Sequence, residues 1–251
     1  MEEPNEALRP DPLPEAANQP VFTSTHWSVI LAAANGESSA ALEELCRTYW
    51  YPLYAYVRRR GYGPEVAEDL TQEFFARLLA RRALETVSPL KGKFRSFLLA
   101  CMNHLLADVH DHETRQKRWA GQAILSFDAT AAEQRYVLEP ADQMTPEKIF
   151  ERRWAVALLE QVLRHLAEEY CRKGKEELFE ALQHFLTSDG AEPDYPAAAR
   201  RLGMNEGAVR TAVHRLRQRY GVLFRESVAQ TLDPSENLET EMRHLRSALG
   251  G

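Results

Sequence analysis

The segment from Asp194 to Tyr220 places the tightest limits on the fold, because it carries start and stop signals for two consecutive helices. Asp194 before Tyr195-Pro196 is typical of a helix N-cap and first turn, and Gly203 can adopt the left-handed conformation that ends a helix. Asn205 is a suitable N-cap for the next helix. The segment is therefore predicted to be a helix-turn-helix, whose second helix buries one stripe of residues three and four apart: Val209, Ala212, Val213, Leu216 and Tyr220.

The opposite face of that second helix is polar and basic. In a helix-turn-helix the second helix enters the major groove, where arginine and glutamine can pair with base edges. The pattern alone leaves a solvated basic surface helix as the alternative. We predict that this face reads duplex DNA through Arg210, Thr211, His214, Arg215 and Gln218, and that nearby arginines hold phosphates, namely Arg200, Arg201, Arg217 and Arg219.

The rest of the chain is also patterned for helices, with apolar residues three and four apart and no convincing strand pair. The fold is therefore predicted to be all-α, with two small helical domains joined by a linker and the helix-turn-helix in the second domain. Pro52 interrupts one apolar helix, where we expect a kink or a break. The predicted divisions are a disordered tail over 1–25, a first domain over 26–118, a linker over 119–144, a second domain over 145–228 and a C-terminal helical extension over 229–251.

The net charge of −6 does not by itself indicate a nucleic-acid binder. The basic residues are nevertheless concentrated between Arg200 and Arg219, and a local basic face on an acidic protein suits a protein that touches DNA together with a partner. The acidic, proline-rich N-terminus does not resemble a secretion signal, and no apolar run is long enough to span a bilayer. These observations predict a cytoplasmic protein without a membrane partner.

Enzyme and metal chemistry find little support in the sequence. Cys46, Cys101 and Cys171 are far apart and lie in apolar helical patterns, so each is predicted to be a buried hydrophobic residue. His110 and His112 would lie on different faces of a helix, and no further ligand completes a tetrahedral set. No phosphate-binding loop or nucleophile motif occurs. We therefore predict no enzyme activity, no metal site and no cofactor.

A strip of acidic and amide residues marks one face of the helix predicted after Pro64. Asp69, Gln72 and Glu73 are spaced at i, i+3 and i+4, away from the apolar stripe that contains Leu70 and Phe74. Such a strip could dock a basic helical partner, although an ordinary solvated helix surface has the same pattern.

Three stretches carry a family resemblance. Tyr51-Pro52-Leu53-Tyr54, the run from Ala67 to Phe75 (AEDLTQEFF) and the run from Phe94 to Leu98 (FRSFL) resemble region 2 of bacterial RNA polymerase sigma factors. They are most similar to the short, two-domain extracytoplasmic-function (ECF) type of the sigma-70 family. The predicted helix-turn-helix resembles region 4 of the same family, although that motif alone is generic.

The resemblance implies specific partners. It implies binding to core RNA polymerase, through the β′ clamp helices and the β flap, and to promoter DNA, and it allows for an anti-sigma factor. The linker would thread toward the polymerase active-site channel. The resemblance assigns Asp69, Gln72 and Glu73 to the clamp helices, Lys93, Arg95 and Asn103 to the start-proximal promoter element, and Arg210, Thr211, His214, Arg215 and Gln218 to the upstream element.

Two other classes of protein stay open. One is a stand-alone helix-turn-helix transcriptional regulator with an N-terminal sensing or dimerisation domain, which would bind duplex DNA tightly by itself. The other is a protein-interaction module that has lost DNA binding. The residues after Leu232 lie outside the family core, and the linker is long and acidic for the family. The role of neither segment is readable from the pattern.

Overall fold

The computed structural model describes residues 39–80, 93–113, 129–139, 144–187, 194–232 and 235–250. Every regular element in these residues is a helix, so the predicted all-α class is confirmed. The predicted N-terminal tail lies outside the described residues. The helices are α1 (Ser39–Arg59), α2 (Pro64–Ala80), α3 (Phe94–Glu113), α4 (Ala129–Val137), α5 (Pro146–Arg172), α6 (Glu176–Leu182), α7 (His184–Thr187), α8 (Tyr195–Leu202), α9 (Glu206–Ala229) and α10 (Leu238–Gly250).

Local capping interactions explain where several of these helices begin and end. The first N–H groups of a helix have no partner within it, and a side-chain oxygen at the N-cap supplies one. Gly203 ends α8 with φ of 62°, a left-handed conformation that glycine adopts without steric cost. Four helices begin with a side chain that accepts a hydrogen bond from the backbone N–H three residues later, at 2.8 to 3.3 Å: Thr145, Asp194, Asn205 and Asn237.

Pro52 does not break α1, which runs without interruption from Ser39 to Arg59. The break considered from the sequence is therefore absent. Proline removes one helical hydrogen bond, and packing must offset that loss. Its neighbours Tyr49, Leu53 and Tyr56 are all at most 1% exposed, so tertiary burial of this stretch of α1 supplies the stabilisation.

The larger hydrophobic core is built around α1. Trp154 of α5 is fully buried in it, and Leu245 of α10 enters it from the C-terminal end of the chain. Val228, in the last turn of α9, is also fully buried there. The core therefore joins helices from both ends of the sequence. Its other principal members come from α1 to α3: Leu45, Tyr49, Leu53, Tyr56, Leu70, Phe74, Phe75, Leu98, Met102 and Leu105.

Helix α5 connects this core to a second one. Its N-terminal half contributes Trp154 and Leu158 to the larger core, and its C-terminal half contributes Val162 and Leu166 to the smaller. The four side chains are fully buried. The smaller core also contains residues of the α6–α9 segment, namely Phe179, Leu182, Phe185, Ala198, Ala199, Val209, Val213, Leu216 and Leu223.

Helix α4 lies within the interval predicted to be a linker and is fastened to α1. Glu133 accepts two hydrogen bonds from Arg58, at 2.9 and 2.7 Å, and a third from the Tyr54 hydroxyl at 2.6 Å. These hydrogen bonds, chiefly those from Arg58, hold the pKa of Glu133 below its usual range, although partial burial acts to raise it. The buried Glu139, just after α4, forms an ion pair with Arg153 of α5. The described part of this interval is therefore a docked helix.

Candidate nucleic-acid and polymerase-binding surfaces

The basic face of α9 is exposed, and its apolar face is buried. Val209, Val213 and Leu216 are at most 2% exposed, and they pack in the smaller core. The spacing of three and four therefore divides α9 into two faces, as the sequence predicts. All five residues predicted to read DNA are on the exposed face: Arg210, Thr211, His214, Arg215 and Gln218.

Arg210 is held in place by neighbours although its side chain is 59% exposed. Its guanidinium lies 4.3 Å from the centroid of the Tyr195 ring, and Nη2 lies 3.9 Å from Oε2 of Glu206. The Tyr195 ring stacks on Phe185 at 5.2 Å between centroids. A cation over an aromatic face is attracted by the ring quadrupole, so Tyr195 of α8 orients an arginine of α9. The sequence patterns did not identify Tyr195 in this role.

The four arginines predicted to hold phosphates fall into two pairs. Arg200 and Arg201 lie exposed at the end of α8. Arg217 is exposed as well, but it donates two hydrogen bonds to the carbonyl of Phe185, at 2.9 and 3.3 Å. Arg219 forms a bidentate ion pair with Glu169 of α5, which raises the pKa of the arginine above its ordinary value through that hydrogen-bonded pairing. The second pair therefore already ties α9 to its neighbours.

The acidic strip lies together on one face of α2. Asp69 is exposed, whereas Gln72 and Glu73 are half-buried. Gln72 donates a hydrogen bond to Glu68 at 3.1 Å, and Glu73 accepts one from Arg77 at 2.8 Å. Each of these hydrogen bonds joins residues one helical turn apart on α2. The strip therefore still faces outward, away from the buried Leu70 and Phe74.

The three residues predicted to face the start-proximal element differ in accessibility. Asn103 is exposed and accepts a hydrogen bond from the Tyr56 hydroxyl at 2.7 Å. Lys93 is half-buried, and the side chain of Arg95 is only 4% exposed. The fold therefore brings Lys93 and Arg95 together at the start of α3 and covers them.

Glu241 of α10 covers this pair of cations. Its carboxylate lies 2.5 Å from Nζ of Lys93 and 2.6 Å from Nη2 of Arg95, and its side chain is 3% exposed. Burial acts to raise the pKa of Glu241, but the hydrogen bond from Lys93 and the charge of Arg95 outweigh it and hold that pKa below its usual range. Glu241 is therefore an ionised, buried carboxylate shared by two cations.

Glu241 was missed in the sequence, although a signal for it exists. It lies on the apolar stripe of α10, with Leu238, Met242, Leu245 and Leu249 at helical spacing around it. A lone carboxylate on the buried face of an amphipathic helix needs a cationic partner, because an unpaired buried charge is costly. That rule would have predicted a basic partner for Glu241, but not which one.

Arg95 has two further partners that link α3 to α5. Its guanidinium lies 4.5 Å from the centroid of the Trp154 ring, and Nε lies 3.6 Å from Oε1 of Glu151. Glu151 also pairs with His244 of α10. These contacts place α3, α5 and α10 around the buried Arg95–Glu241 pair, with Glu151 and His244 at its more exposed edge.

The part of the chain that the structure describes contains neither a metal-binding group nor a membrane-spanning helix. Those residues contain no group of histidines, cysteines or carboxylates able to hold a metal ion. Among the same residues, no helix has both the length and the apolar character needed to cross a membrane. Of the three cysteines predicted to be buried, Cys46 is buried and Cys101 is only partly buried. The prediction is wrong for Cys171, which is exposed in the last turn of α5 and donates to the Glu176 carboxylate at 2.6 Å.

Comparison with known proteins gives a domain-level match. Neither the curated proteins nor the solved structures gave a significant match to the chain. Residues 45–119 match the family model described as Sigma-70 region 2, and this interval contains α1 from Leu45 onward, α2 and α3. The match ends well before α8 and α9. Residues 45–119 are therefore similar to region 2 of the sigma-70 family, and this similarity supports a sigma factor involved in RNA polymerase binding and promoter recognition.

Proposed function

We propose that this protein is a sigma factor of the ECF type, which binds core RNA polymerase and directs promoter recognition and transcription initiation. The observation that carries this proposal is the match of residues 45–119 to sigma-70 region 2. The exposed basic face of α9 supports it, because a sigma factor needs a second, duplex-reading surface. Cytoplasmic localisation is part of this proposal, since core polymerase acts there.

The acidic strip on α2 is proposed to bind the β′ clamp helices. Asp69, Gln72 and Glu73 present two carboxylates and an amide on one outward face, and such a strip complements a basic helical surface. Glu73 keeps its carboxylate oriented by the hydrogen bond from Arg77. Preorganised charges of this kind chiefly give specificity and fast association.

The two promoter-facing surfaces are proposed to have separate tasks. The exposed residues of α9, with Arg210 and Arg215 as the strongest base-edge donors, read the upstream element as duplex. Arg200 and Arg201 supply phosphate contacts at its edge. Lys93, Arg95 and Asn103 serve the start-proximal element, where opened single strands need cationic and polar contacts.

Transcription reconstituted with purified core polymerase tests this proposal. We expect the full-length protein to bind core and to start transcription at discrete genomic promoters that core alone does not use. Failure to bind core, together with tight and sequence-specific binding of duplex DNA by the free protein, would instead identify a stand-alone regulator.

The charge reversal Glu73→Lys tests the clamp contact directly. It places a cation beside Arg77 and should weaken core binding by roughly tenfold or more, because it replaces attraction by repulsion at the interface. Glu160→Lys is the matched control, since Glu160 is exposed on α5 and the change in net charge is identical. Equal weakening by both variants would remove the strip from the proposal.

A further inference from the structure

The C-terminal helix α10 places an anion where the proposed function requires DNA. Glu241 is separated from Arg95 by 146 positions in sequence, yet it reaches both Lys93 and Arg95 at ion-pair distance. Carboxylate and phosphate oxygens make the same charge-assisted hydrogen bonds to lysine and arginine. In this form of the molecule, Glu241 therefore occupies the cations that a DNA phosphate would need.

The buried ion pair between Glu241 and Arg95 adds little net stability for the free energy of desolvation that it costs. Removing a carboxylate and a guanidinium from water costs free energy that their mutual attraction offsets only when every polar atom is satisfied. Arg95 falls short of this, because its buried Nη1 has no hydrogen-bond acceptor among the described residues. Apolar residues at these positions would complete the core at lower cost. The charges are better explained by a second, alternative anion for Lys93 and Arg95.

The remaining attachments of α10 are modest. Leu245 is buried in the larger core, while Leu238, Met242 and Leu249 are only partly buried against it. Two further ion pairs, Arg225 with Glu239 and Glu151 with His244, lie at the surface, where such pairs contribute little. Helix α10 is thus held chiefly by a few apolar contacts and by the Glu241 cluster.

We propose that α10 is an autoinhibitory latch, in which Glu241 occupies Lys93 and Arg95 until core polymerase and promoter DNA displace it. The inference rests on the proposed function, because it takes Lys93 and Arg95 to be phosphate-binding residues. In the latched state the start-proximal surface is closed while the duplex-reading face of α9 stays open. Free protein therefore binds single-stranded DNA weakly, and the apparent affinity rises as the unlatched fraction rises.

The full-length variant Glu241→Gln tests the latch. It keeps the shape of the side chain and removes the nearest charge that competes with phosphate, while Glu236, 3.5 Å from Nζ of Lys93, and Glu151, 3.6 Å from Nε of Arg95, stay in place. With a fluorescein-labelled single-stranded oligonucleotide of mixed sequence and no polymerase present, we expect about tenfold tighter binding than wild type. The gain should shrink as salt rises, because phosphate contacts release counterions. Wild-type affinity in Glu241→Gln would overturn the proposal.

Glu239→Gln is the matched control, because it removes the same charge from the same helix at an exposed position. Its affinity for the oligonucleotide should stay within about twofold of wild type, since an exposed pair contributes little. An equal gain in both variants would mean that net charge, rather than the Glu241 contact, governs binding. Adding Lys93→Gln to Glu241→Gln should abolish the gain, and its persistence would contradict the assignment of Lys93.

Hydrogen exchange provides a readout that does not depend on a variant folding well. In the wild-type protein, amides of residues 238–250 should exchange faster when saturating oligonucleotide and core polymerase are bound. Unchanged exchange in α10 in a complex that transcribes would overturn the latch while leaving the sigma-factor proposal intact. If the protein failed to bind core while Glu241→Gln still bound the oligonucleotide tenfold more tightly, the sigma-factor proposal would fail and the contact of Glu241 with Lys93 and Arg95 would still be shown to block DNA.

Discussion

The two surfaces proposed to contact DNA differ in what already occupies them. On α9 the arginines and their polar neighbours face outward, and Arg210 is braced from the side by the Tyr195 ring. At the start of α3, Arg95 is enclosed by Glu241, Glu151 and Trp154. The same residue type is therefore available to a ligand on one surface and part of a buried cluster on the other. Under the proposed function, this difference means that the duplex-reading surface is ready in the free protein and that the start-proximal surface requires a rearrangement.

The largest expected effect is on the free energy of unfolding, and it distinguishes Arg95 on the covered surface from Arg215 on the open one. Arg95→Ala leaves the buried Glu241 with one cation fewer, so the free energy of unfolding should fall by about 3 kcal/mol. Arg215→Ala, on the open surface, should change it by less than about 0.5 kcal/mol. Urea denaturation measures both. Similar losses in the two variants would remove the contrast between a covered and an open surface.

Arg215→Ala, which should barely change stability, is expected to have a large effect on duplex recognition. Arg215→Ala is expected to weaken use of the upstream element by about 1–3 kcal/mol, or roughly tenfold and more, because one base-edge donor is lost. The measurement is promoter-specific transcription with core polymerase, compared with binding to core alone. Unchanged promoter choice would exclude Arg215 from the recognition face.

The bracing of Arg210 gives a smaller effect. Tyr195→Leu removes the aromatic face beneath the guanidinium and should weaken upstream-element use by about 0.5–1 kcal/mol, or a few-fold. Tyr195→Phe keeps the ring and should retain nearly full use of the element. If both variants lose the same activity, the hydroxyl or general packing, rather than the ring face, is the cause.

Acid should weaken the covered surface through Glu241, and this is the smallest of the expected effects. The pKa of Glu241 is lower in the folded protein than in the unfolded chain, so its contribution to stability is present above the unfolded pKa of about 4.3 and is lost as pH falls through the folded value. Stability of the wild type should therefore decline more steeply below about pH 4 than that of Glu241→Gln. Parallel declines in urea denaturation would contradict this assignment.

Much of the local structure was readable before any tertiary information. A helix starts at Pro64 as predicted, Asp194 caps α8, and the turn between α8 and α9 is formed by Gly203 and the N-cap Asn205, which predicted it. These signals act between residues one to four positions apart, so a linear reading captures them. Pro52 shows the limit of such a reading, because burial of its neighbours overrides its local cost.

The candidate sites divide along the same line. The exposed face of α9 follows from the period of one helix, and so did its five predicted residues. The state of Arg95 depends on a helix near the other end of the chain, and that of Arg219 depends on Glu169 of α5. The residue pattern within α3 or α9 cannot reveal these partners, because Glu241 lies on α10 and Glu169 lies on α5.

By itself, the sequence determined the helical class, the capping of the helices and the division of α9 into a buried and a basic face, since all of these follow from short-range geometry. Only the tertiary structure decided that α5 joins two cores, that α4 is fastened to α1 by Glu133, and that Glu241 covers Lys93 and Arg95. The physical reason is that burial and ion pairing depend on distance in space. The position of Glu241 on the apolar stripe of α10 indicates that it needs a cationic partner. Only the packing of α10 against α3 and α5 determines that the partners are Lys93 and Arg95.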